Sequence, residues 1–158
     1  MKTLNSLMIV GVLATMLTGP VNAETLRSTF PGETWYVDAS AESGGSGTAE
    51  RPFKTIAEAI GAASSGDVIE IGEGCYSRTN SAAALGRTNL YVDKRIYFHG
   101  RGRDKTIVRG CHDTGASSVR GTGAAAVRCV TLSGVEANGS VFDGIGFEAG
   151  ATDSAEGN

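Results

Sequence analysis

Two histidines, His99 and His112, are the only imidazoles in the chain, so they are the candidates for general-base work near neutral pH. His99 closes the apolar run Tyr97-Phe98, and His112 stands beside Asp113 in a turn-rich stretch. An imidazole beside an apolar run is more often a packing residue than a base. No Gly-x-Ser-x-Gly elbow, His-Glu-x-x-His helix or Cys-x-x-Cys pair accompanies either one. A second chemistry is electrostatic: Arg101, Arg103, Lys105 and Arg109 lie close together and would suit a polyanion. The plainer account is a turn kept polar by solvent, with Gly100, Gly102 and Gly110 supplying positive φ. Asp38, Glu42 and Glu50 surround a Gly/Ser-rich loop and can be read as calcium ligands, but their spacing matches no ligand pattern. Three cysteines, Cys75, Cys111 and Cys129, allow one bridge plus a free thiol, an intermolecular bridge, or no bridge. These patterns assign no residue a catalytic, cofactor-binding or metal-binding role.

The elements that must position these groups are easier to read. Thr55 followed by Glu58 is a capping box. Ile56, Ala59, Ile60 and Ala63 then repeat at helical spacing, which predicts one amphipathic helix over about 55–64. Ser64-Ser65-Gly66-Asp67 ends it, with Gly66 suited to the left-handed position after a helix. Val68-Ile69-Glu70-Ile71 alternates with period two and is β-branched, so it reads as a strand, and Trp35-Tyr36-Val37 is another upstream. Leu90–Val92, Arg95–Phe98, Ile107–Val108, Val127–Thr131, Val141–Phe142 and Ile145–Phe147 follow as short strands. Asp93-Lys94 forms a corner and Ser77 to Asn89 an insertion. Asn138-Gly139 and Asp143-Gly144 usually signal hairpins, although corners of a solenoid coil also need such turns. With 23 glycines, 3 prolines and 41% hydrophobic residues, tight turns between short strands fit better than disorder.

In order, Tyr36-Val37-Asp38, Gly45-Ser46-Gly47-Thr48-Ala49, Pro52-Phe53-Lys54-Thr55-Ile56, Ala59-Ile60, Gly66-Asp67-Val68-Ile69 and Gly74-Cys75-Tyr76 resemble the opening of a known family. It is that of the secreted right-handed parallel β-helix proteins of the pectin-lyase-like superfamily. The resemblance implies an all-β solenoid whose N-terminal helix caps the open end and whose next strand begins the first full coil. Coils of about 20 residues would place Cys111 and Cys129 on adjacent rungs, where they either bridge or stack as small hydrophobes. Lyases of this family neutralise a uronate carboxylate, usually with calcium held by acids on successive rungs, and a Lys or Arg abstracts the neighbouring proton. Asp93, Asp104, Asp113 and Asp143 are the acids near rungs here. Each reads as a turn residue, so no catalytic role is carried over to them.

Residues 1–23 read as a signal peptide, with Lys2, the apolar run Leu7 to Leu17 and the small-residue site Val21-Asn22-Ala23. That run is short for a membrane anchor. The expected location after cleavage behind Ala23 is therefore secreted, cell-surface or periplasmic. Cleavage removes one lysine from a chain of formal charge −3, and the acidic balance argues against nucleic acid as a partner. Residues 24–34 read as a mobile leader and residues 35–158 as the first coils of the β-helix. The last of these looks uncapped and prone to self-association, as in a chain truncated at its C-terminus. The expected function is that of an N-terminal fragment of a polysaccharide-binding or -processing protein without a complete active site. Calcium is implied only by the resemblance, and Arg101, Arg103 and Lys105 are the candidate contacts to an acidic sugar. The alternative is an extracellular adhesin-type spacer with no catalysis.

Overall fold

The computed structural model describes residues 23–77, 88–112 and 126–151. The stretch read as a signal peptide up to residue 22, most of the stretch read as an insertion after Ser77, residues 113–125 with Asp113, and residues 152–158 lie outside the described residues. The helix expected over 55–64 is α2, Ile56–Ala62, and the capping box at its start is complete. The Thr55 hydroxyl accepts from the Glu58 amide at 3.2 Å, and the Glu58 carboxylate accepts from the Thr55 amide at 2.9 Å. Ile56, Ala59, Ile60 and, just past the last turn, Ala63 are buried. Lys94, at the expected corner, donates its ammonium to the Ile60 and Ala63 carbonyls at 3.1 and 2.9 Å, which satisfies the C-terminal end. Thr55→Ala should lower the stability of the protein by about 1 kcal/mol in chemical denaturation, because the Glu58 amide loses its acceptor.

Gly66 does not follow the helix as expected. The residue after α2, Ala63, is extended, and Gly66 (φ 98°) is instead the third residue of a turn closed by Asp67 N–H to Ser64 O at 3.2 Å. A positive φ at that position is what a type II turn demands. Asp67 then ties three segments together. Its carboxylate accepts from the Glu33 amide (2.9 Å), the Ser64 amide (2.8 Å) and the Trp35 indole N–H (2.9 Å). Burial alone would raise the Asp67 pKa, but these three hydrogen bonds and the nearby Lys94 charge outweigh it and hold the carboxyl below its ordinary range.

Among the described residues nine short strands build the rest: β1 Thr34–Val37, β2 Val68–Ile71, β3 Gly74–Ser77, β4 Thr88–Val92, β5 Tyr97–His99, β6 Thr106–Arg109, β7 Arg128–Leu132, β8 Val141–Asp143 and β9 Gly146–Glu148. They form three sheets, ordered β1-β2-β5-β8, β3-β6-β9 and β4-β7, and every pairing between them is parallel. From β2 onward the chain visits the three sheets in turn and then returns to the first, an arrangement compatible with a β-helix. Its returns are longer than the expected coil of about 20 residues, since Tyr97 pairs with Val68 on one side and Val141 on the other. The Asn138-Gly139 and Asp143-Gly144 turns make no hairpins; they are corners with positive φ at both glycines.

Side chains alternate across each strand, so the register sets whole rows inward together. Trp35, Ile69, Phe98 and Phe142 are such a row, and Phe98 and Phe142 stack parallel at 4.6 Å between ring centroids. Ile69, Ile71, Ile96, Phe98, Leu90, Val92 and Val108 fill the space between the sheets. At one end the free edge of β1 is bonded through Tyr36 N–H to Gly47 O and Phe53 N–H to Tyr36 O, both at 2.9 Å. At the other end β7, β8 and β9 are the sheet edges, with Leu132 and Phe147 exposed beside them.

The segment read as a mobile leader is built onto the protein instead. It forms α1, Ala23–Arg27, and then buries Phe30 on the outer face of the first sheet against Val68 and Tyr97, with Leu26 and Val141 alongside. Sequence patterning missed it because one apolar anchor after a single turn of helix has no period.

Candidate functional site

Glu70, His99 and Asp143 stand directly opposite one another on β2, β5 and β8. Their inward neighbours are Ile69, Phe98 and Phe142, so alternation turns all three outward, and the parallel register spaces them at about 4.8 Å. Asp143 was expected in a turn; it is the last residue of β8, paired with His99. The expectation failed because the following Gly144 looked like the second half of a turn that began at Asp143, whereas the bend starts after it.

The row is organised by hydrogen bonds. The His99 Nδ1 lies 2.9 Å from Glu70 Oε2, and the Arg27 guanidinium, reaching down from α1, donates to Glu70 Oε1 at 2.6 Å. An ionised carboxylate can only accept, so Nδ1 carries a proton and Nε2 is the nitrogen left to face a ligand. Arg27 also donates to the Thr34 hydroxyl at 3.3 Å. On the adjacent row Tyr97 donates its hydroxyl to Asp143 Oδ2 at 2.9 Å, and its ring lies over His99 with centroids 6.1 Å apart. Burial, then the hydrogen bond to Asp143 and the charges of Asp143 and Glu70, push the Tyr97 phenol up to about 12, so it stays a donor at any physiological pH. The Glu70 side chain keeps 13% of its surface exposed and that of His99 34%, which leaves the imidazole the accessible member. Such a pair can accept a proton at Nε2, or hold a hydroxyl-bearing ligand between imidazole and carboxylate.

The other candidates are placed elsewhere. Arg101, Arg103 and Lys105 lie in the turn between β5 and β6, and acids meet most of the basic group there: Arg103 with Asp104 (3.7 Å), Lys105 with Glu73 (2.7 Å) and Arg109 with Glu148 (2.8 Å). Pairs this exposed contribute about 0–1 kcal/mol each, but they cancel much of the positive field. Asp38 is held below the ordinary carboxylate range by hydrogen bonds from the Ser40 hydroxyl and amide. Asp93 and Asp104 are exposed, as is His112. Cys111 pairs through its backbone with Val127 and not with Cys129, and Cys75, Cys111 and Cys129 are free thiols. Among the described residues no group of three or more His, Cys, Asp or Glu side chains is arranged to hold a metal ion. Calcium needs six to eight oxygens. The outer row offers only two carboxylates, one committed to Arg27 and His99 and the other to Tyr97. It does not fit calcium.

Glu70 is the member that motif reading missed. Its signal was present as the single acid in Val68-Ile69-Glu70-Ile71. Only the pairing of β2 with β5 shows that it meets His99.

Fold and row together define a mostly parallel β protein of β-helix-like build, with an acid–base row on the outer face of its largest sheet. The chain belongs to the family described as a protein of unknown function, DUF1565, whose model matches residues 40–140, well over half its length. No curated protein and no solved structure matches it.

Proposed function

We propose that the chain is part of an exported right-handed parallel β-helix protein that binds polysaccharide, in the manner of the pectin-lyase-like proteins it resembles. The observation that carries the reading is the Glu70–His99–Asp143 row. It offers hydrogen-bonding groups at strand spacing on a flat outer face, the arrangement a chain of hydroxyls needs. The carboxylates of Glu70 and Asp143 favour a neutral polymer, because a uronate would meet like charge there. Export is supported by the basic, apolar and small-residue sequence of residues 1–23. Processing of the sugar would use the His99–Glu70 pair as the base, with His99 Nε2 facing the substrate. The spacer reading is favoured by the paired charges on the other faces, which leave them little to bind with.

Electrophoresis of the native protein through gels cast with neutral or uronic-acid polymers separates these readings. Retardation by a neutral polymer is expected, and no retardation by any polymer supports the spacer. His99→Gln should weaken the retained complex several-fold, since a typical hydrogen bond contributes about 0.5–1.5 kcal/mol.

A further inference from the structure

Residues 23–30 lie across the face that carries the proposed site. Helix α1 has five residues, too few to be stable alone. It is held from below by Leu26 and Phe30, which pack on Val68, Tyr97 and Val141. From the side, the Arg95 guanidinium sits 4.0 Å over the Phe30 ring and donates to the Thr29 carbonyl and hydroxyl, each at 3.2 Å. Its one contact with the row is Arg27, on Glu70. The segment is thus attached by a few side chains to a sheet whose own hydrogen bonds do not depend on it. Segments of that kind open at a lower free energy than the strands beneath them.

We propose that residues Glu24 to Phe30 form a detachable strap packed beside the Glu70–His99–Asp143 row and reaching it through Arg27, which occupies on Glu70 the place of a ligand's donor groups. The inference rests on the reading of the row as a binding site and adds its regulation. With the strap down, Glu70 is shared between Arg27 and His99 and is nearly covered. With the strap up, Oε1 of Glu70 is free to accept from a hydroxyl or amine, and His99 stays in place because its own bond is to Oε2. A ligand that donates hydrogen bonds to Glu70 therefore competes with the strap, and binding and strap opening are one equilibrium.

Hydrogen exchange and reaction with diethyl pyrocarbonate, both read by mass spectrometry on the secreted protein, test this. In the wild type, amides of residues 24–30 should exchange at least tenfold faster than those of β2 and β5. Phe30→Ala should speed the strap amides tenfold more, leave β2 and β5 unchanged, and raise carbethoxylation of His99 several-fold. Arg27→Gln keeps the Phe30 anchor and should raise His99 reactivity while strap exchange changes less than in Phe30→Ala. Exchange of the strap in step with β2 and β5, in both wild type and Arg27→Gln, would overturn the proposal by making the segment part of the core. Faster strap exchange with His99 reactivity unchanged in both variants would overturn it equally, since the row would then not be covered. An opened strap without any gain in retention by neutral polymer would uphold the strap and remove the sugar as its competitor.

Discussion

Asp67→Ala should destabilise the protein by on the order of 3 kcal/mol, because it strands the Glu33 and Ser64 amides and the Trp35 indole in a place water barely reaches. Asp67 is 5% exposed, and no other side chain there can replace its two oxygens. The loss spreads along the chain, since those donors belong to the entry to β1, the turn after α2 and β1 itself. The same carboxylate sets a pH dependence. Its folded pKa lies below the ordinary 3.8, so its contribution is fully present above that value and is lost as pH falls through the depressed folded value. Urea denaturation between pH 6 and pH 2.5 should therefore show the wild type losing more stability on acidification than Asp67→Ala. Equal slopes for the two proteins would mean that the three hydrogen bonds do not favour the ionised form.

Phe98→Ala should cost about 3–5 kcal/mol, the range for a fully buried aromatic ring cut back to a methyl. Phe98 is completely buried between Ile69 and Phe142 in the inward row, and its ring lies flat on that of Phe142. Phe142→Ala should cost clearly less, because Phe142 belongs to an edge strand and is only half-buried. Thermal denaturation of the two variants checks the order. A larger loss at Phe142 than at Phe98 would contradict the inward row as drawn.

Much of the cap was legible because its signals are local. Thr55 and Glu58 are three residues apart, and Ile56, Ala59 and Ile60 share a helix face whatever the rest of the chain does. Most strands were legible from period-two alternation, even where their ends shifted by a residue or two, as at Tyr97, but β3, which opens on Gly74, was not. The functional row was not, because it exists only in the register between strands. Glu70 and His99 are separated along the chain by β3 and β4, and Asp143 by two further strands and a loop. Nothing in the alternation of one strand says which residue of the next will lie opposite. The basic stretch shows the reverse: Lys105 and Arg109 look like part of a patch in sequence, whereas their partners Glu73 and Glu148 come from β-strand neighbourhoods far away in the chain. Loops that lengthen each return of the chain hid the period in the same manner, by separating strands that end up adjacent.

The most direct test of the account follows the two imidazoles by NMR while a neutral polysaccharide retained by the protein is titrated in. Because the chain has only His99 and His112, their ring signals can be assigned with one substitution. The His99 ring protons should shift and saturate with the binding curve while those of His112 stay still. A binding curve that leaves His99 unmoved would place the sugar elsewhere on the protein and contradict the role given to the Glu70–His99–Asp143 row.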